Sequence, residues 1–502
     1  MLIEKRLHRC FEDFLSAMAR KQTTIVKHIA DSWAEEMRFG RLLRNVAVTP
    51  ERILHQATSL TRDAVAGRHI LLVEDTSEFS FGLEPRASGL GSVGNGTERG
   101  FFIHPVLAID ADRQACLGLA AAQIFDRPKL PDELQDADLQ TRRNYLGRQP
   151  FSEKSSKRWL DLPLLAQQCC QGAARMTVVA DREADIYAAL NGFIEAKLDF
   201  VIRLSKDRPL HGAGTERRKQ QLAAARARKK NPVDPEQQTP QEASVPGAAA
   251  TAEPQYQLIA TVKEQLNALP VAGTCKVKLP ATDKRMAHEA VLDVKFIPVT
   301  LMRPRTANGK GCNEMLPVYV VEVREQAASV VGKDAPIHWI LYTTNAVTTV
   351  TEALQVVEWY RWRWHIEQTF RLLKSRGLDM ENSGLQTRDR LANLAAMALV
   401  AAVRVLQLVL ARDHGIDQQL RAAFTPEEIE VLEALNKTLE GNTARQRNPH
   451  PRGSLAYGSW VIARLGSWNG YSGGRPGPIT MYRGLAIFYQ RYEGYQLAKR
   501  LT

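Results

Sequence analysis

The stretch His69-Ile70-Leu71-Leu72-Val73-Glu74-Asp75 is an apolar run of strand length that ends on two acidic residues. Such a run, bounded by polar residues, predicts a buried strand. Reading outward, Phe101 to Ile109 and Ala115 to Ile124 are two more runs, separated by the turn-like Asp110-Ala-Asp112. Residues 156–172 have helical spacing, Met176-Thr-Val-Val-Ala180 is another strand, residues 183–194 a helix, and Phe200-Val-Ile-Arg-Leu204 a further strand. Strands followed by alternating helix and strand predict a mixed α/β sheet.

The flanks differ in texture. Residues 1–67 read as helical and basic, with Thr49-Pro50-Glu51-Arg52 offering an N-cap followed by proline at the first helical position. Residues 212–254 are rich in Ala, Gln, Pro, Lys and Arg and read as a surface insertion, either solvated or touching phosphates through its basic half, Glu216 to Lys230. Strand texture returns at Tyr256 to Val262, Thr274 to Leu279, Ala290 to Leu301, Pro317 to Val323 and Ile337 to Thr344, with Asn308-Gly309 as a turn signal. From about Thr351 the pattern is helical through Asp413 and in stretches beyond. Leu391 to Ala411 is the most apolar segment, and Asn393, Arg404 and Gln407 interrupt it, so it reads as a core helix.

Two aspartates sit at equivalent places. Asp75 follows the strand 70–73, and Asp181 follows the strand 176–180. Sites on open α/β sheets lie at the carboxyl ends of strands. A lone aspartate there also serves as a helix cap or turn former. Further on, Tyr360, Arg363, Glu367 and Lys374 fall at offsets 0, 3, 7 and 14, which return to one helical face. That face presents a phenol, a guanidinium, a carboxylate and an ammonium. It suits a phosphodiester, with the cations on phosphate oxygens and the carboxylate on a metal. A solvated face of ion pairs has the same pattern. Three carboxylates together would repel, so a divalent cation is the natural counter-charge, and two-metal catalysis with Mg2+ fits.

The net charge of +12 and pI of about 9.4 favour a polyanionic partner. The 44% hydrophobic content is enough for a sizeable core, and 24% charged residues exclude a wholly disordered chain. Cys10, Cys116, Cys169, Cys170, Cys275 and Cys312 form no C-x-x-C pair, so ordinary buried thiols are expected rather than zinc ligands or a disulfide framework. The opening Met1-Leu-Ile-Glu-Lys-Arg does not read as a signal peptide, and a cytoplasmic bacterial protein without a membrane partner is expected.

The string Tyr360-x2-Arg363-x3-Glu367-x6-Lys374 resembles the Y-R-E-K signature of cut-and-paste transposases of insertion-sequence family four, the Tn-five-like group. Glu74-Asp75-Thr76 and Asp181-Arg-Glu-Ala-Asp185 are similar to the family's first and second aspartate motifs, and Gly458 to Gly466, Trp468 and Pro476 to Thr480 to its tail. The resemblance runs from about Lys5 to Leu485. It departs in lacking the Leu-Gly-Asp that usually precedes the first basic residues, and in its longer 212–254 linker.

The resemblance implies an α/β fold, a ribonuclease-H-like mixed-sheet core with a β-rich insertion domain and helical N- and C-terminal domains. The expected boundaries are 1–67 for DNA binding, 68–205 with 345–385 for the core, 206–344 for the insertion, and 386–502 for dimerisation and synapsis. It implies a catalytic, metal-binding triad of Asp75, Asp181 and Glu367, using Mg2+ with Mn2+ as a substitute. It implies DNA contacts from Tyr360, Arg363, Lys374, Trp339, Arg203 and Lys157. Trp339 matches a family tryptophan that stacks on a flipped base beside a hairpin, although a buried core indole fits the sequence too. The implied reaction is hydrolysis at transposon ends, hairpin formation and opening, then strand transfer into target DNA by a homodimer. The other readings are a DNA-binding derivative without catalysis, and a ribonuclease-H-fold nuclease that cuts without joining.

Overall fold

Every apolar run that feeds an aspartate becomes a buried strand. The computed structural model describes residues 5–83, 87–128, 130–134, 137–211, 261–279, 286–304, 311–332, 335–374, 377–414, 418–470 and 475–501. The 212–254 segment and the Asn308-Gly309 turn lie outside them. The chain divides into two compact units, one of residues 1–184, 192–201 and 358–502, the other of residues 185–191 and 202–357.

The first unit begins with helices α1 (Lys5–Lys21), α2 (Val26–Ile29), α3 (Trp33–Arg44) and α4 (Pro50–Ala64). Their starts follow the sequence. Ser32 accepts from the Glu35 amide at 3.2 Å, and Thr49 caps α4 with Pro50 in its first turn. Each such cap contributes about 1 kcal/mol. The sheet follows, with β1 (His69–Glu74), β2 (Ser77–Ser80), β3 (Gly91–Val93), β4 (Glu98–Asp110) and β5 (Cys116–Phe125). Helices α5 (Leu139–Arg148) and α6 (Arg158–Cys169) lead to β6 (Arg175–Ala180), and α7 (Tyr187–Glu195) to β7 (Asp199–Arg203). The strand order is β2-β4-β1-β6-β7, with β3 and β5 also on β4. Strand β1 runs antiparallel to β4 and parallel to β6, which makes the sheet mixed as expected. Ile70 to Val73 are fully buried, and each contributes about 1.5–3 kcal/mol over an exposed side chain.

The second unit holds α8 (Val262–Ala268) and an antiparallel meander of β8 (Gly273–Leu279), β9 (His288–Met302), β10 (Met315–Glu325) and β11 (His338–Thr343). One expectation is corrected here. Val262 is not the end of a strand but the first residue of α8, because the Thr261 side chain caps the helix by accepting from the Glu264 amide at 3.3 Å. Residues 256–260 of that expected strand lie outside the described ones.

The expected helical stretch from Thr351 is α9 (Val350–Trp362), α10 (Trp364–Leu373) and α11 (Arg388–His414), followed by α12 (Pro426–Leu439), α13 (Leu455–Leu465) and α14 (Pro478–Leu501). Helix α11 is long and apolar enough to span a membrane, yet 83% of its apolar window is buried in the fold. Its polar interruptions are internal clamps. Asn393 donates to the Leu43 and Val48 carbonyls, Gln407 to that of Leu117, and Arg404 to the Tyr489 hydroxyl at 2.6 Å. Only Cys10, Cys116 and Cys170 are buried; Cys169, Cys275 and Cys312 are half-buried, which corrects the expectation of uniformly buried thiols.

Candidate active site

The parallel pairing of β1 with β6 sets the first two carboxylates. The register runs from His69 opposite Arg175 to Val73 opposite Val179. Carried two residues further, it sets Asp75 beside Asp181 at the same sheet edge. Asp75 Oδ1 also accepts from its neighbour's amide, Thr76 N, at 2.8 Å, so the turn-forming use of this aspartate is present as well.

Glu367 arrives on α10. The helical path breaks between α9 and α10, where the Arg363 amide donates to the Tyr360 carbonyl and the Ile366 amide to the Arg363 carbonyl, an i to i+3 tightening. The single helix expected from the 360–374 spacing is therefore two segments hinged on Arg363. The tightening does not scatter the residues. Arg363 Nη1 donates to Asp75 Oδ2 at 2.7 Å, and Nη2 donates to Glu367 Oε1 at 2.8 Å. Nη2 also lies 4.0 Å from Asp181 Oδ2. The Tyr360 hydroxyl donates to Asp181 Oδ1 at 3.0 Å. One guanidinium thus touches all three carboxylates, and a phenol steadies the third. Trp359 pins the end of α9 by donating from Nε1 to the Ala111 carbonyl at 3.1 Å, with His69 edge-on to its ring.

The site is shallow. Asp75, Asp181 and Glu367 keep 22%, 32% and 28% of their side-chain surface exposed, while Arg363 keeps 11%. Burial pushes the Asp75 carboxyl up to about 6. Arg363 and the Thr76 amide oppose that rise, and Glu367 and Glu183 add to it. Burial works against the Arg363 charge too, but Asp75, Tyr360, Asp181 and Glu367 outweigh it and hold its pKa above the ordinary arginine value.

Behind Asp75 lies a network that the sequence reading missed. Glu74 and His104 are both fully buried and share a 2.9 Å hydrogen bond, and His104 Nδ1 shares another, of 2.7 Å, with the Thr76 hydroxyl. Burial, then the neighbouring Asp75, raises Glu74 well above the carboxylate range; burial, then Arg158, holds His104 well below the imidazole range. Both shifts favour the uncharged forms of the pair. It ties the Thr76 side chain to the sheet from behind while the Thr76 amide holds Asp75 from in front. The readable signal was a glutamate and a histidine placed inside otherwise apolar strands.

The other expected residues are distributed elsewhere. Lys374 follows the last residue of α10 in extended backbone, with its ammonium 5.1 Å from the centre of the Phe79 ring. It is not among the contacts that Arg363 makes. Trp339 is half-buried on β11, opposite Val323. Arg203 ends β7 and donates to the His338 carbonyl at 3.1 Å. Lys157 sits in a turn before α6 and pairs with Asp161 at 2.9 Å.

The donor set bears on a metal. All three side chains offer carboxylate oxygens, the class that Mg2+ takes. Among the described residues no three acidic, histidine or cysteine side chains are gathered as a ready cluster for an ion, and Arg363 stands between these three. One guanidinium against three carboxylates leaves negative charge uncompensated. The chemistry of the donors therefore fits a divalent cation. Residues 163–404 match the family described as the transposase DDE domain. That span includes Asp181, Arg363 and Glu367 but begins after Asp75, and what it supports is a DDE transposase, an enzyme that cuts and joins nucleic acid.

Proposed function

We propose that this chain is a cut-and-paste DNA transposase of the Tn-five-like group, with Asp75, Asp181 and Glu367 as its catalytic carboxylates. The observation that carries the reading is the bridging of all three by Arg363. Carboxylates so arranged would hold Mg2+ or Mn2+, which when bound supplies Lewis-acid stabilisation of charge on the reacting phosphate and eases deprotonation of the attacking group. Arg363 is then the group that exchanges carboxylate for phosphate oxygen, since its fork matches both. Tyr360 orients Asp181, and Lys374 offers a second cation to the backbone. Trp339 is assigned the aromatic platform for an unstacked base, and Arg203 and Lys157 outlying backbone contacts.

Residues 1–67 are assigned to DNA binding. A cleft of about 410 Å3 between α1 and α3 is lined by Arg6, Arg9, Arg38 and Arg41, and this supports the assignment. Arg38 is engaged by Asp13 and Glu35 at 2.7 and 2.9 Å. The reaction proposed is hydrolysis at the transposon ends, hairpin formation and opening, and strand transfer into target DNA by two protomers joined through residues 386–502.

The test uses linear DNA carrying the element's own ends, with Mg2+. Asp75→Ala, Asp181→Ala and Glu367→Ala should each lose cleavage by more than about a hundredfold, since even outer partners of a catalytic metal cost 10–100-fold. Gel-shift affinity for the same DNA should change little. Unchanged cleavage in any one variant removes that residue from the triad. Wild type that binds ends but never cuts them identifies a derivative without catalysis, and cutting with no hairpinned end identifies a nuclease that does not join.

A further inference from the structure

Strands β1 and β2 follow one path along β4, broken only at Asp75 and Thr76. Glu74 pairs with Val106 and Ser77 with Ile103, so the register is the same on both sides of the gap and Thr76 falls opposite His104. A side-chain bond spans the gap. The Thr76 hydroxyl and His104 Nδ1 share the 2.7 Å contact, and His104 Nε2 is held by Glu74 at 2.9 Å. Alternation along a strand sets Glu74, Thr76 and His104 on one face of the sheet, where the Trp159 ring of α6 stands edge-on to His104 with ring centres 4.6 Å apart. The same alternation turns Asp75 to the other face, toward Arg363. Glu74 and His104 are fully buried, and a buried polar pair is a poor source of stability, since apolar side chains of similar volume would avoid its desolvation cost. What the pair fixes is the Thr76 side chain, whose own amide donates to Asp75 Oδ1 at 2.8 Å. Asp75 Oδ2 is the oxygen that meets Arg363.

We propose that Thr76 and His104 are positioning residues for Asp75, a role that rests on the transposase reading above. The terminal torsion of an aspartate is broad, so a carboxylate at the end of a strand has little preference of its own for which oxygen it presents. Here the choice is made from behind. His104 anchors the Thr76 hydroxyl, the Thr76 amide takes Asp75 Oδ1, and Oδ2 is left facing the site. Glu74 fixes the imidazole in turn, so the chain of bonds runs from the buried face of the sheet through to the acidic edge. A cation held by the three carboxylates would gain from the same restriction, because partners outside the ligands orient the ligands. His104 acts only through Thr76, which sets it apart from a catalytic residue.

The experiment uses the full chain on linear DNA carrying the element's ends. Thr76→Val keeps the branched shape and the backbone amide but removes the hydroxyl, whereas Thr76→Ser keeps the hydroxyl. Two readouts are compared: the cleavage rate in Mg2+, and Mn2+ binding followed by loss of the free-ion EPR signal, with DNA alone subtracted. Thr76→Val should bind Mn2+ about tenfold more weakly and cut about 10–100-fold more slowly, with Thr76→Ser within about threefold of wild type in both. At position 104, asparagine keeps a polar atom where Nδ1 stands and glutamine keeps one where Nε2 stands, so His104→Asn should bind Mn2+ and cut better than His104→Gln. Thr76→Val that matches Thr76→Ser in Mn2+ binding overturns the proposal, even if its urea midpoint falls, because a merely structural bond would move stability alone. His104→Gln outperforming His104→Asn overturns it too. If the His104 variants fail to fold, the two Thr76 variants decide. Wild type that cuts no ends, while Mn2+ binding still separates Thr76→Val from Thr76→Ser, counts against the transposase reading and supports the positioning role.

Discussion

At the scale of the residue, spacing and strand ends single out side chains but do not give their partners. Asp75, Asp181 and Glu367 were picked out by their places after strands and on a helical face. That Arg363 reaches all three depends on the β1–β6 register and on the tightened turn at 363, and neither is a property of local spacing. Neighbouring His365 shows the same division. It is buried, its Nε2 lies 2.8 Å from Gln114 Nε2, and its Nδ1 has no hydrogen-bond partner among the described residues. Burial, aided by Arg412, depresses its pKa from 6.5 to about 4. Above about pH 6.5 the ring is neutral both folded and unfolded. Between 6.5 and 4 only the unfolded chain takes up the proton, so stability falls as pH falls through that window, by roughly 3 kcal/mol at most. Denaturant unfolding at pH 7, 5.5 and 4.5 should show this fall in wild type and a smaller one in His365→Gln. Equal slopes would remove His365 as the source.

At the scale of the element, long apolar runs announced themselves and short polar ones did not. Strands β1, β4, β5, β6 and β7 follow the sequence reading closely, whereas Ser77–Ser80 and Gly91–Val93 pair with β4 without an apolar pattern of their own. At Val262 the apolar alternation outweighed the Thr261-x-x-Glu264 capping signal in the reading, and the helix starts there. The second aspartate motif divides its labour in a way the string Asp181-Arg-Glu-Ala-Asp185 conceals. Asp181 faces Tyr360 and Arg363, but Asp185 is buried. It accepts from the Ser205 and Lys206 amides at 2.7 and 2.9 Å and from Arg208, also buried, at 2.5 Å. Asp185→Ala would leave Arg208 buried without its counter-charge, and the expected cost is about 3–5 kcal/mol in urea unfolding. Asp181→Ala thins a cluster of like charges and should stay within about 1 kcal/mol of wild type. Similar losses in the two variants would mean that Asp185 is not the clamp.

At the scale of the whole molecule, the charge balance carries a message that composition alone states only in outline. A net +12 favours an anionic partner, and the arginine-lined cleft between α1 and α3 gives that surplus one definite location. Around the three carboxylates the logic runs the other way, because the local charge is negative and an arginine already offsets part of it. Small metal-dependent domains unfold under chelators because the ion is part of their folding free energy. Here Arg363 bonds Asp75 and Glu367 and Tyr360 bonds Asp181, so the acidic side chains already have partners within the chain. Excess EDTA should therefore leave its melting temperature within about 2 °C of the untreated value; a large drop would mean that the free protein already holds an ion there. With its counter-ion covalently its own, the acidic edge of this sheet resembles a lock already holding a key cut from the same chain.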